Sequence, residues 1–244
     1  MADMIREAII LAGGKGTRLQ NVVKNVPKPL APVSGEPFLN YLIRYLQRQG
    51  IERVILSVGY MYEKIMQTYG HSFNGVEVDY SVEHSPLGTG GAIAKAIGKT
   101  REGNALILNG DSFMAFNLAD FEKEYERVCR DNPSLKYPVL MLLKELHSVD
   151  RYGSVLLEKD RIISFEEKTF REQALINAGV YLFDRRLFLE GMFCGRFSFE
   201  KDFLEKRVDE GIIFGMSGEG YFIDIGVEED YFRAQNELKK EIEK

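Results

Sequence analysis

Leu11–Leu30 reads LAGGKGTRLQNVVKNVPKPL: Gly13, Gly14 and Gly16 set among Lys15, Arg18, Lys24 and Lys28, with the last lysine between two prolines. Glycine lets backbone N–H groups come close to a ligand, and the cations make that ligand an anion, so the stretch reads as a phosphate cradle. The run that feeds it, Ala8–Ala12 (AIILA), is short, apolar and broken by Gly13-Gly14. It predicts a buried parallel strand ending in a loop.

Working outward, the pattern repeats. After Pro37, Phe38, Leu39, Leu42, Ile43 and Leu46 recur at helical spacing, and Gly50 falls where a C-terminal cap belongs. RVILSVGY (53–60) predicts a second buried strand. A helix over Tyr62–Tyr69, a strand over Val76–Glu83, a helix over Thr89–Ile97 and the strand ALILNGD (105–111) follow. Such alternation predicts an α/β fold of Rossmann-like type: a mixed, mostly parallel central sheet with helices on both faces and ligands beyond the carboxyl ends of its strands. The glycine-rich stretch, EHSPLGTGG (83–91) and NGD (109–111) all follow predicted strands and are expected to meet at that edge. Beyond a helix over Leu118–Arg130, PVLMLLKEL (138–146), GSVLLE (153–158), RIISFEEK (161–168) and ALINAGVYLF (174–183) are strand-like, with EKDR (158–161) a hairpin turn. Helices near Phe199–Asp209 and Glu228–Glu243 follow. No Pro/Ser-rich linker divides the chain, so one domain over 1–244 is expected. Its first half, to about residue 135, carries the phosphate cradle, and a smaller β-rich half from about 136 would close over it.

With 244 residues, 45% of them hydrophobic and 28% charged, the chain is long enough for one sizeable core. A net charge of -5, with cations clustered only near the N-terminus, argues against nucleic acid as partner. Cys129 and Cys194 form neither a CxxC nor a histidine-flanked pair, so neither zinc nor a disulfide framework is expected. The start, MADMIREAIILAGG, has acids where a signal peptide carries cations, and no run approaches the ~20 apolar residues of a membrane span. A cytoplasmic protein with no membrane partner is expected, and a homo-oligomer stays open.

Two familiar phosphate loops fail on spacing: Lys15 is followed by Gly16 rather than Ser or Thr, and Leu19 stands where a dinucleotide fingerprint needs glycine. LAGGKGTRL followed by PKPL instead resembles the signature of the sugar-1-phosphate nucleotidylyltransferases. Those enzymes join a nucleoside triphosphate and a sugar 1-phosphate and release pyrophosphate, on a nucleotide-diphospho-sugar transferase fold. The resemblance runs from about Ala8 to Gln235. Attack of one phosphate on another brings anions together, so the chemistry asks for positioning and charge neutralisation. By resemblance Leu11, Ala12, Gly13, Gly14, Lys15, Gly16 and Thr17 hold the nucleotide, Arg18 grips the leaving pyrophosphate, and Lys28 bridges the α-phosphate and the incoming phosphate; Lys24 reads equally as a solvated lysine. The same resemblance gives Mg²⁺ as cofactor, held by Asp111 of LNGD and Asp224 of YFIDIGVEEDY, with Val227 where many relatives carry Thr or Ser. Arg18, Lys28 and Asp111 form the expected catalytic set.

VEHSPLGTGGAIAKA, from Val82, resembles the base-reading segment, with Leu87 and Gly88 beside the base and Thr89 capping the next helix. Glu83 stands where pyrimidine-using relatives carry glutamine; an ionised carboxylate only accepts, which suits the adjacent N1–H and N2–H₂ donors of guanine. On the acceptor side DRYGSV, FEEK and INAGVYLF match the sugar-binding stretches. Lys168 is implied for the sugar phosphate, Glu167 for hydroxyls, and Asn109, Gly153, Asn177 and Gly179 for amide or backbone contacts, although Glu166-Glu167 also reads as a plain hairpin edge. The wording most resembles the branch that uses GTP and D-glycero-α-D-manno-heptose 1-phosphate for bacterial surface glycans. Mannose 1-phosphate, or uridylyl, cytidylyl or thymidylyl transfer, are the alternatives. Phosphocholine cytidylyltransfer, and a regulatory subunit that binds nucleotide sugar without turnover, are further ones. A second, acetyltransferase-type domain is not expected in a chain ending at Lys244.

Overall fold

A computed structural model describes residues 4–14, 16, 19, 22–23 and 25–243. Strand β1 (Glu7–Ala12) is followed by the small hairpin β2 (Pro32–Val33) and β3 (Glu36–Pro37) and by helix α1 (Phe38–Arg48). Then come β4 (Arg53–Val58), α2 (Tyr62–Tyr69), β5 (Ser72–Phe73), β6 (Val76–Val82), α3 (Gly88–Ile97), β7 (Asn104–Asn109), β8 (Ser112–Met114) and α4 (Leu118–Asp131). The second half comprises β9 (Val139–Val149), β10 (Ser154–Glu158), β11 (Arg161–Glu166), β12 (Arg171–Asp184), α5 (Arg186–Glu190), β13 (Ile213–Gly218), β14 (Phe222–Asp224) and α6 (Glu228–Glu243).

The main sheet runs β10-β11-β13-β9-β12-β7-β1-β4-β6-β5. β6, β4, β1 and β7 are parallel, with β1 between β4 and β7. The chain therefore steps outward from β1 in one direction to β6, then returns to the other side of β1 at β7. The carboxyl ends on either side of β1 form the switch point at which such sheets bind ligands. Each of these strands is apolar on both faces because both are covered: Ala8 and Ile10 join a core with α1, α4 and α6, while Ile9 joins one with α3, α5 and the Phe199–Phe203 segment. β12 pairs antiparallel with both β7 and β9, so the second half continues the same sheet. The expected α/β fold and the mixed, β-rich extension are present.

Differences from the expected elements have local causes. Phe199–Asp209 is not an α-helix but a π-helical turn over Phe199–Leu204 running into a 3₁₀ turn over Glu205–Glu210. The wide turn faces Phe199 and Phe203 to the core, their rings 5.3 Å apart and stacked. β4 stops at Val58 and β7 at Asn109, since Gly59-Tyr60 and Gly110-Asp111 turn out of the sheet. β8 and β14, three residues each, form a separate antiparallel ribbon in which Asp224 lies opposite Ser112.

Candidate active site

At the carboxyl ends of the parallel strands lies a cavity of about 810 Å³. Gly13 and Gly14 reach it from β1, Gly59 and Tyr60 from β4, Glu83 to Pro86 from β6, and Asn109 to Asp111 from β7. The three stretches expected to meet do meet. Leu11, Ala12, Gly16, Lys28, Gly88 and Thr89 also line the cavity, while Leu87 does not. Lys15, Thr17, Arg18 and Lys24 lie outside the described residues.

Lys28 begins a 3₁₀ turn between Pro27 and Pro29, where fixed proline torsions aim its stem inward. Gly16, at φ +60°, takes a left-handed conformation that favours glycine, and a Cβ there would sit 2.9 Å from Lys28 Cβ, so the loop can close on the stem only without one. The ammonium ends 2.6 Å from Asp111 Oδ2 and 3.9 Å from Asp224 Oδ1, with only 9% of the side chain exposed. Asp111 comes from the turn after β7, and Asp224 is brought beside it by the β8–β14 ribbon, whose next residue, Ile225, donates its N–H to Asp111 O at 3.0 Å. Gly226 N–H donates to Asp224 Oδ1 at 2.6 Å. A Cβ on Gly226 would stand 2.6 Å from both that oxygen and Lys28 Nζ.

Two carboxylates converging at a cavity that can admit phosphates are the donor set a hard divalent ion takes, Mg²⁺ in particular, which needs only one or two carboxylates beside substrate oxygens and water. No group of three or more His, Cys, Asp or Glu with metal-binding geometry occurs among the described residues, in keeping with a site completed by substrate rather than an all-protein cage. The residues fit the metal.

At the β6 end, Glu83 accepts from the Ser57 hydroxyl at 3.3 Å and from Leu87 N–H at 3.1 Å. The carboxylate thus shapes the 83–87 turn while still facing the cavity. Thr89 does not cap α3: the helix starts at Gly88, and the cap position, Leu87, makes no side-chain bond. Thr89 instead accepts from Phe199 N–H at 2.8 Å and donates to Glu200 Oε2 at 2.6 Å. The glycines around it serve the same docking, because Gly90 N–H donates to Phe197 O at 3.0 Å and a Cβ on Gly90 would run into the Phe197 ring. Sequence reasoning gave Gly88 to the base, assigned Gly90 and Gly91 only to the turn, and passed over the segment that lies on them.

The acceptor end is assembled only in part. Asn109 lines the cavity and packs against Gly179, whose N–H donates to Asn177 Oδ1 at 2.8 Å. Asn177 Nδ2 donates to the Tyr181 hydroxyl at 2.7 Å, and that hydroxyl donates to Glu200 Oε1 at 3.2 Å. Complete burial pushes the Tyr181 phenol well above its ordinary pKa, and the Glu200 charge adds to this, so it stays a neutral donor. A polar chain therefore runs from the β12 bulge at Asn177 through Tyr181 and Glu200 to Thr89. Of the expected sugar-side residues only Asn109 lines the cavity; Gly153, Glu167, Lys168, Asn177 and Gly179 do not, Glu167 and Lys168 being exposed in the turn between β11 and β12, with Glu166 pairing with Arg171 at its base. Sequence reasoning also missed Arg196, Tyr60 and His84 on the cavity wall and Glu200 behind it. Tyr60 and His84 lie within strand-end stretches, where their aromatic character could have flagged them, whereas no local signal marks Arg196 or Glu200.

A cleft at the switch point of such a sheet, with a lysine held between two aspartates, defines a nucleotide-handling α/β protein. The chain belongs to the nucleotidyl transferase family, whose pattern matches residues 7–241. It is 44% identical over 233 residues to D-glycero-alpha-D-manno-heptose 1-phosphate guanylyltransferase of Aneurinibacillus thermoaerophilus, covering 96% of this chain and 98% of that protein. It is 34% identical over 248 residues to mannose-1-phosphate guanylyltransferase of Mycobacterium tuberculosis, across 99% of this chain and 67% of that one. The crystal structure of HddC from Yersinia pseudotuberculosis complexed with GMP-PN superposes with a TM-score of 0.82 at 34% identity, covering 96% of this chain and all of that one.

Proposed function

We propose that this protein is a guanylyltransferase that joins GTP and D-glycero-α-D-manno-heptose 1-phosphate into GDP-heptose and pyrophosphate. The single observation that carries the chemistry is the Lys28 ammonium held beside Asp111 and Asp224 at the carboxyl edge of β1 and β7. An oxygen of the sugar phosphate attacks the α-phosphorus of GTP; the new O–P bond forms as the bond to the β-phosphate oxygen breaks, and pyrophosphate leaves with that electron pair. Backbone N–H groups of Gly13, Gly14 and Gly16 cradle the triphosphate, and Arg18 takes the charge of the leaving group. Lys28 reaches both the α-phosphate and the incoming phosphate, offsetting the repulsion between two anions. Mg²⁺, held by Asp111 and Asp224, would supply further neutralisation of the charge on the α- and β-phosphate oxygens.

Glu83 reads guanine. Each carboxylate oxygen accepts one protein hydrogen bond. Each keeps acceptor capacity for the N1–H and N2–H₂ donors, which a uracil or thymine edge does not present as a pair. The names of the relatives support GTP and a manno-configured sugar phosphate, and the 44% relative favours the heptose over mannose. Asn109, on the cavity wall, holds the sugar together with Gly179 packed against it and Asn177 beside that, while Gly153, Glu167 and Lys168 are assigned to the sugar phosphate by resemblance alone. Among the described residues no helix is long and apolar enough to cross a membrane, and we place the reaction in the cytoplasm, where GTP is available.

Pyrophosphate release in Mg²⁺, crossing GTP, ATP, CTP, UTP and dTTP with heptose 1-phosphate, mannose 1-phosphate and glucose 1-phosphate, tests the reading. Release with GTP and the manno-configured acceptors, fastest with the heptose, is expected. A preference for a pyrimidine triphosphate would overturn the role given to Glu83, and no release with any pair would overturn the enzyme.

A further inference from the structure

The ammonium of Lys28 stands against the same two carboxylates that the reading above assigns to the metal. We propose that Lys28 is their resident counter-ion, and that this couples the loading of divalent metal to the arrival of nucleotide. The inference rests on the metal assignment of Asp111 and Asp224.

The ammonium is closely confined. Its stem leaves a 3₁₀ turn bounded by two prolines, Gly16 closes over the Cβ end, and Gly226 leaves just the space that Nζ and Asp224 Oδ1 share. With 9% of the side chain exposed, water solvates the charge poorly, so it must be met by protein or ligand anions. Within the protein that anion is Asp111, at 2.6 Å, with Asp224 at 3.9 Å. A divalent ion arriving alone meets two carboxylates already partly neutralised, beside a fixed positive charge that repels it. A triphosphate in the cavity changes both terms. It gives the ammonium phosphate oxygens to bind and so draws it off Asp111, and it brings oxygen ligands of its own. Metal and nucleotide then each raise the affinity of the other by the same factor, as linkage requires. Lys28 thus has two posts, on Asp111 before substrate and on phosphate after it, and the protein avoids holding a tight divalent ion in a site without nucleotide.

The test is direct metal binding without nucleotide. Free Mn²⁺ is followed by electron paramagnetic resonance while the full chain is titrated, comparing wild type, Lys28→Met, Asp111→Asn and the double variant Lys28→Met with Asp111→Asn. Lys28→Gln repeats the comparison should the methionine fail to fold, and thermal melts establish that each variant is folded. Lys28→Met is expected to bind Mn²⁺ at least tenfold more tightly than wild type, with the gain lost in the double variant. Equal Mn²⁺ affinity in wild type and Lys28→Met, removed from both by Asp111→Asn, would overturn the counter-ion role and leave the metal assignment standing. Mn²⁺ binding that ignores both substitutions would overturn both.

Discussion

Gly226→Ala should separate catalysis from stability. The new methyl carbon would start 2.6 Å from Lys28 Nζ and from Asp224 Oδ1, whereas ordinary contact begins near 3.4 Å. Both polar atoms must therefore retreat by a sizeable fraction of an ångström. They are the far ends of side chains, not backbone, so the fold can yield, and alanine's smaller loss of backbone freedom on folding returns ~0.4–1 kcal/mol. Stability should stay within about 1 kcal/mol of wild type. The chemistry cannot yield in the same way, because a misplacement of ~1 Å in a reacting array costs ~10²-fold. A fall in kcat of roughly 30- to 100-fold is expected, about 2–3 kcal/mol of transition-state stabilisation. Steady-state pyrophosphate release and thermal melting measure the two sides. An unchanged kcat would refute the reasoning. So would a kcat that falls only in step with lost stability, since Gly226 would then be a structural turn.

Three further outcomes follow from particular contacts. Glu83→Gln should reduce the preference for GTP over UTP by roughly tenfold, about the 1.4 kcal/mol of one charge-assisted hydrogen bond, and competition assays with mixed triphosphates read it directly. Gly90→Ala should cost ~1–3 kcal/mol by overpacking against the Phe197 ring, and should raise the KM for GTP as the 195–200 segment lifts from α3; calorimetry and kinetics check the two. At the opposite edge of the sheet, Arg53 holds Glu7, Glu77 and Asp79, and Arg53→Met, which takes the cation from buried Glu7 and leaves it only the Arg101 and Glu102 N–H donors, should cost ~3–5 kcal/mol in urea unfolding. Glu77 is held below the usual carboxylate range by hydrogen bonding to Arg101, with Arg53 adding to it. Burial pushes Asp79 up, but the Tyr80 N–H, Lys99 and Arg53 outweigh it and hold it low. Both groups bind fewer protons folded than unfolded, so their contribution is present at neutral pH and is lost as pH falls below about 4. The wild type should lose stability over that range more steeply than Arg53→Met.

The parts of the structure legible in the sequence are those whose physics is local. β1, β4 and β7 are covered on both faces, so they read as unbroken apolar runs, and the polar, glycine-bearing turns at their carboxyl ends announced the ligand edge. What could not be read is pairing across long separations. β8 and β14 are too short to give a periodic signal, yet their ribbon brings Asp224 to Asp111; only resemblance to a family had joined the two aspartates. Thr89 was misread because a threonine at the start of a helix looks the same whether it caps that helix or receives a distant backbone. Its partners at Phe199 and Glu200 lie about 110 positions away. The π-helical turn at Phe199 was invisible for a related reason: its aromatic residues suit an α-helix, and tertiary packing against the core sets the wider turn.

Attack of a sugar phosphate on the α-phosphorus of GTP can be followed by label. With GTP carrying ³²P at the α position and heptose 1-phosphate as acceptor, one ³²P is expected in the nucleotide sugar and unlabelled pyrophosphate, with no label released in the absence of acceptor. Label appearing as free GMP, or remaining in GTP while the acceptor is present, would contradict it.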